Sequence, residues 1–394
     1  MAHSFHKARP NDQSSTCPPR TQSAAHDAKH SHEHDHQHYA AQTCDSELLR
    51  SCYRSMVLTR VVDKKCIALQ RTGKLGTYAS CLGQEAVGVG LANAMRSDDV
   101  FVPYYRDQAA QLIRGVDIVD ILRYWGGDER GNNFRQCRED LPNCVPIATQ
   151  CSHAAGIASA FKIRKQKRVV VCTLGDGATS RGDFLESLNL AGLWQLPLVF
   201  VINNNQWAIS TPRHKQSGLP QLADKATGAG IPGIQIDGND VVSVYNTVHH
   251  AVERARASKG PTLIEAVTYR LCDHTTADDA SRYRSNDEVN QAWQHEPIKR
   301  LQQQLHDAGL WQPSDEVALQ QACAQQVDAA VDEYLRTPPQ PAEAMFDYLY
   351  AELPEAYREQ YQQIKARGLA EQAQRAISAA EHEAKEFKTG RTHE

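Results

Sequence analysis

Two polar turns carry residue types that could do chemistry together: Gly175-Asp176-Gly177 and Asn203-Asn204-Asn205. A carboxylate from Asp176, an amide oxygen from Asn205 and the backbone carbonyl of Trp207 are oxygen donors of the kind magnesium accepts. The rest of its roughly six sites go to phosphate or water oxygens. The glycines let a diphosphate approach the backbone, and a helix amino terminus just beyond would favour its charge. The stretch from Gly175 to Asn205 therefore reads as a holder for magnesium and a diphosphate.

Such a holder needs rigid elements on both sides of each turn. Val169 to Leu174 is a short apolar run, the pattern of a strand buried on both faces of a parallel sheet. Asp183 to Trp194 places Phe184, Leu185, Leu188 and Leu193 at helical spacing, with Gly192 and Pro197 marking the stop. Leu198 to Ile202 is a second buried strand that ends in the asparagine run. A strand, a crossover helix and a parallel strand put both turns at the carboxyl edge of one sheet, where open α/β folds bind ligands. Gly-Asp-Gly alone is a common loop sequence, so the flanking elements carry the reading.

The rest of the chain continues the α/β alternation. Asp45 is placed to cap a helix over 46–72, Val241 to Ser258 reads as a helix and Pro261 to Tyr269 as a buried strand. Glu288 to Ala308 is helical in pattern, with Pro297 at a kink or a new start. Pro338-Pro339-Gln340-Pro341 is a stiff connector, and the Ala-, Glu- and Gln-rich stretch from Ala342 to Lys388 predicts a helix suited to pack on a partner. Three segments are expected: a disordered His-rich tail over 1–44, an α/β domain over 45–337 and a helical extension over 338–394. The tail carries His30, His32, His34, His36 and His38 at alternate positions, with few apolar side chains to offset ordering entropy. Its metal affinity is expected to be incidental.

Composition narrows the function classes. The 394 residues are 23% charged with a formal net charge of -4, so no broad basic surface argues for nucleic acid. No long apolar run predicts a membrane span and no signal peptide is evident. Eleven cysteines without a Cys-x-x-Cys pair fit a reducing cytoplasm. Cys137, Cys144 and Cys151 are evenly spaced, but zinc ligand pairs sit closer in sequence.

The order Gly-Asp-Gly, about 26 residues, then Asn-Asn, is similar to the thiamine diphosphate fingerprint. With Gln206-Trp207-Ala208-Ile209-Ser210 it resembles the alpha subunit of the heteromeric 2-oxo acid dehydrogenases, in their decarboxylating component. Leu82-Gly83-Gln84-Glu85-Ala86, Tyr104-Tyr105-Arg106-Asp107, Val145-Pro146-Ile147-Ala148-Thr149-Gln150, Asp237-Gly238-Asn239-Asp240 and Thr268-Tyr269-Arg270 follow in the same order. Asp273-His274-Thr275-Thr276-Ala277-Asp278-Asp279 and Tyr283-Arg284 complete a resemblance that spans roughly Ser46 to Tyr350.

That resemblance implies a thiamine diphosphate-binding fold, a mostly parallel sheet flanked by helices with a helical carboxyl-terminal segment. It assigns Tyr105 and Arg106 to the cofactor diphosphate and Val145 and Ile147 to the cofactor, Ile147 propping its bent shape. Asp176, Asn205 and the Trp207 carbonyl match magnesium ligands, and Gly177 and Ala178 the diphosphate lining. His274 matches a catalytic histidine at the mouth, on a loop that Arg270, Asp278, Asp279, Tyr283 and Arg284 fix. Gly76 to Ser80 matches the substrate end. Departures are Cys272 where many relatives have glycine, and Gln206-Trp207 where many have Gly before an aromatic; Thr275 stands where some carry a regulatory phosphoserine. No Glu motif for activating the cofactor's aminopyrimidine is evident, so a beta subunit, as in an alpha2beta2 heterotetramer, is expected to supply it. The implied reaction decarboxylates a small 2-oxo acid and passes the acyl group to a lipoyl acyltransferase core. Tyr124 to Gly131 and 273–279 resemble bacterial pyruvate enzymes. The alternatives are a branched-chain 2-oxo acid dehydrogenase alpha subunit and a non-catalytic cofactor- or metal-binding subunit.

Overall fold

The computed structural model describes residues 45–347 and 349–389. The His-rich segment expected to be a disordered tail lies outside them. Five strands form one parallel sheet in the order β1 (Val100–Val102), β2 (Val170–Gly175), β3 (Leu198–Asn204), β7 (Thr262–Val267) and β6 (Gly233–Asp237). A two-stranded hairpin, β4 (Trp207–Ala208) and β5 (Thr211–Pro212), follows β3 directly. The apolar runs predicted as buried strands are β2, β3 and β7, which occupy the middle of the sheet. β6 escaped notice because it is an edge strand whose residues alternate between exposed and half-buried.

Alternation across the pleat divides the core in two. On one face Cys172, Leu174, Phe200 and Ile202 pack under α5 (Thr149–Ile163) and α6 (Gly182–Leu193), meeting Ala154, Ala158, Phe184 and Leu188. On the other, Val171, Val199, Val201 and Ile264 meet Val87 and Leu91 of α2 (Glu85–Asn93) and Val244 and Val248 of α7 (Val241–Arg256). α1 (Ser46–Arg71) is capped by Asp45, whose side chain accepts from the Glu47 amide. It packs with α9 (Pro297–Asp307) and α10 (Pro313–Arg336) around Tyr53, Met56, Leu301 and Trp311. The short α3 (Gln108–Arg114) and α4 (Ile118–Trp125) precede α5. α8 (Asn286–Trp293) precedes α9, and Pro297 proves to be a new start, with Glu296 as the capping residue. No helix among the described residues is long and apolar enough to cross a membrane.

Three expectations need correction. Gly192 does not stop α6: it lies inside the helix, where a Cβ would come within 2.2 Å of the Ala229 carbonyl oxygen, so close packing demands glycine. The left-handed turn comes at Gln195, φ 46°. Leu185 and Leu193 lie off the buried stripe, at 46% and 72% exposure, and Phe184, Leu188 and Ala191 form it. The helix expected over 342–388 is interrupted: a single 3-10 turn at Ala342–Phe346 precedes α11 (Glu355–Thr389), with Phe346 edge-on to Tyr361 at 5.7 Å.

Candidate active site

The register that places Gly175 opposite Asn203 brings both polar turns to one end of the sheet. A cleft of about 200 Å³ opens there. Its walls include Tyr105, Arg106, Ile147, Asp176, Gly177, Ala178, Asn205, Trp207 and His274. Val145 is not among the lining residues; it stands beside Ile147, 54% exposed. Sequence reasoning missed Tyr104, Cys144 and Gln150 as wall residues, although all three lie in or next to motifs it quoted.

Asp176 follows β2 in a 3-10 turn and is 2% exposed. Burial pushes its carboxyl up to about 6, while the Gln216 amide, at 3.2 Å, and the Arg270 charge pull the other way. Gln216 left no signal in the sequence, being one glutamine in a polar loop. Gly177 presses on the hairpin: a Cβ there would lie 2.6 Å from the Ala208 Cβ. The three asparagines divide their work. Asn203 Oδ1 accepts from Thr268 Oγ1 at 2.9 Å, and Asn204 Nδ2 donates to Glu265 Oε1 at 2.6 Å, so both are tied into the sheet. Only Asn205 faces the cleft. Its Oδ1 accepts from the Trp207 amide at 3.2 Å and its Nδ2 donates to Gln84 Oε1 at 3.0 Å. Positive φ at Gln206 (72°) and Ile209 (54°) bends the chain back beneath the cleft. For β-branched Ile209 that conformation is strained, and Arg270 Nη2, donating to the Ile209 carbonyl at 2.9 Å, holds it.

Arg106, 3% exposed, spends its fork on the opposite wall. Nη1 donates to the Ser80 carbonyl at 2.5 Å and Nη2 to the His274 carbonyl at 3.0 Å, while the buried Nε has no partner among the described residues. Gln150 Oε1 is likewise buried without a partner among the described residues. Unmatched polar atoms of this kind beside a cleft suit a polar ligand, since leaving them unpaired is costly. Asp176, the Asn205 amide and the Trp207 carbonyl offer an oxygen set appropriate to a hard cation. The Trp207 carbonyl accepts a long bond, 3.4 Å from Arg270 Nη1. Among the described residues no group of three or more His, Cys, Asp or Glu is placed to hold a metal. Asp176 is the only carboxylate in the cleft wall among the described residues.

His274 sits between two guanidinium groups: Arg106 Nη2 and Arg270 Nη1 each lie 3.3 Å from its Nδ1. Both are obligate donors, so Nδ1 must be the bare acceptor and the proton belongs on Nε2. Burial and the two arginines drive its pKa down to about 3, which keeps the ring neutral. Tyr105 meets it edge-on at 6.2 Å. The loop beneath is tied throughout. The His274 amide donates to Asp278 Oδ2 at 2.9 Å, and the Tyr283 hydroxyl donates to the same oxygen. Arg270 Nη2 donates to Tyr283 at 2.7 Å, and Arg284 Nη2 to the Cys272 carbonyl at 2.6 Å. Asp279 caps the short turn that follows.

The family described as Dehydrogenase E1 component matches residues 53–343. A 3-methyl-2-oxobutanoate dehydrogenase subunit alpha from Mycobacterium tuberculosis is 42% identical over 320 residues, covering 81% of this chain and 87% of the relative. A pyruvate dehydrogenase E1 component subunit alpha from Acholeplasma laidlawii is 40% identical over 324 residues, covering 81% and 93%. Its counterpart from Mycoplasma pneumoniae is 38% identical over 311 residues, covering 79% and 87%.

Proposed function

We propose that this chain, which belongs to the Dehydrogenase E1 component family, is the alpha subunit of a thiamine diphosphate-dependent pyruvate dehydrogenase that works only beside a beta subunit. The observation that carries the reading is that Asp176, Asn205 and Trp207 line one cleft at the carboxyl end of the sheet, with Arg106 in the same wall. Asp176, Asn205 and Trp207 would hold magnesium. Gly177 and Ala178 would carry the diphosphate at close backbone approach, with Tyr105 and Arg106 closing over it, and Val145 and Ile147 would support the cofactor. When bound, thiamine diphosphate supplies the electron sink that decarboxylation of a 2-oxo acid requires. Neutral His274 contributes as a donor through Nε2–H rather than as a cation. Among the described residues Asp176 is the one carboxylate of the cleft wall and would be taken up by the cation, so the group that activates the cofactor head is assigned to the beta subunit. The acyl product then passes to a lipoyl group on an acyltransferase core.

A second substrate reading, a branched-chain 2-oxo acid, is favoured by the 42% identity to the mycobacterial protein named for 3-methyl-2-oxobutanoate. One assay separates them: the chain is co-expressed with its beta partner, and reduction of an artificial electron acceptor is followed with pyruvate or 3-methyl-2-oxobutanoate. Faster turnover of pyruvate is expected; equal or reversed rates overturn the substrate assignment, and turnover without any beta subunit overturns the split site. Binding of the cofactor without turnover in the assembled complex would favour a purely binding subunit.

A further inference from the structure

The orientation of one side-chain amide decides whether the cleft offers an oxygen or a nitrogen to a cation. Asn205 is 4% exposed and held at both ends, by the Trp207 amide on Oδ1 and by Gln84 on Nδ2. A backbone N–H can only donate, so turning the Asn205 amide over would set donor against donor at Trp207. At the other end the constraint is Gln84. This residue precedes α2, is 2% exposed and does not line the cleft. Its Oε1 receives the Asn205 Nδ2 at 3.0 Å and the Tyr104 hydroxyl at 3.4 Å, while its own Nε2 has no partner among the described residues. Both donors converge on the oxygen, which is why Gln84 presents it.

We propose that Gln84 is a positioning residue that locks the Asn205 amide with Oδ1 toward the cation position beside Asp176. The inference rests on the reading of this cleft as a magnesium–diphosphate site. An amide nitrogen is no ligand for a hard cation, so an Asn205 held by the Trp207 amide alone, with its other end released, spends more of its time turned into a form that cannot bind. Gln84 stands behind the cleft wall rather than in it and acts through Asn205.

The test uses the chain assembled with its beta partner. Magnesium is titrated calorimetrically at saturating thiamine diphosphate, alongside thermal melts. Gln84→Met is expected to weaken magnesium binding about tenfold, equivalent to the loss of one such constraint. Gln84→Glu, which keeps acceptor oxygens facing Asn205 and Tyr104, should stay within about threefold of the unaltered protein. The decisive arm repeats Gln84→Met on Asn205→Asp, because a carboxylate has no wrong way round: the tenfold penalty should collapse there. The same penalty in both backgrounds, or Gln84→Glu as weak as Gln84→Met, would mean that Gln84 merely fills space and overturns the proposal; so would normal affinity in Gln84→Met. Absence of any magnesium-dependent binding in the unaltered complex overturns the site reading itself, which no variant pattern could do.

Discussion

At the level of single residues, charge is managed by burial. His274 has a folded pKa near 3 against an ordinary 6.5, so the folded chain binds fewer protons there than the unfolded chain. Its contribution to stability is complete above pH 6.5 and is lost as pH falls from 6.5 toward 3. His274→Gln should therefore melt less steeply than the unaltered protein between pH 6.5 and 4.5, as read by thermal denaturation at each pH; parallel curves would contradict the neutral-ring assignment. Asp176→Ala should abolish magnesium-dependent cofactor binding by calorimetry, and retained tight binding would remove it from the cation set. Asp107 poses the reverse case. Burial pushes its carboxyl up to about 8 although Thr173 and the Tyr104 amide donate to it, so near neutrality much of it is protonated. Asp107→Asn should consequently change the melting temperature little at pH 7. The sequence announced Asp176 and Asn205 because carboxylate and amide sit in turns between apolar runs. It was silent about Gln216 and gave no role to Gln84, because a glutamine that orients another residue has no spacing of its own.

Among the secondary elements, the parts that were legible are those with an apolar period. β2, β3, β7, α1 and α7 were read within a few residues. β1, three residues long, and β6, at the sheet edge, lack enough pattern to register. Gly192 shows how local rules fail: glycine near a helix end suggests a stop, but here its cause is the Ala229 carbonyl packed on α6, a contact from distant sequence. A Gly→Ala change inside a helix ordinarily helps by up to about 1 kcal/mol. At Gly192 the crowding reverses the sign, and Gly192→Ala is expected to cost about 1–3 kcal/mol in denaturant unfolding. The loop bearing His274 is legible only through resemblance, since Arg270 and Arg284 tie it through the Cys272 carbonyl, which leaves no trace in residue type, and Tyr283 bridges Arg270 to Asp278 without any regular spacing.

Across the whole molecule the two ends of the sheet have different duties. At the carboxyl end lies the cleft. At the other end Asp99, just before β1, accepts from Arg256 of α7 at 2.7 and 2.9 Å and from the Val169 amide at 2.9 Å, clamping strands to helix. The Asp99 side chain is fully buried and that of Arg256 nearly so. Removing one member of such a pair costs about 3–5 kcal/mol, so Asp99→Ala should lower the melting point sharply while the folded fraction keeps its cofactor affinity. Loss of affinity in the folded fraction would show that the two ends are coupled. The mouth of the cleft has a consequence outside catalysis. Ile147 and Ile209 stand 43% and 55% exposed in its wall, with Val145 beside Ile147 at 54%, an apolar rim that the proposed beta subunit would cover. A cell that synthesises this chain ahead of its partner would hold an adhesive surplus, open to chaperones and proteases, so the supply of the two polypeptides must be matched in time as well as in amount.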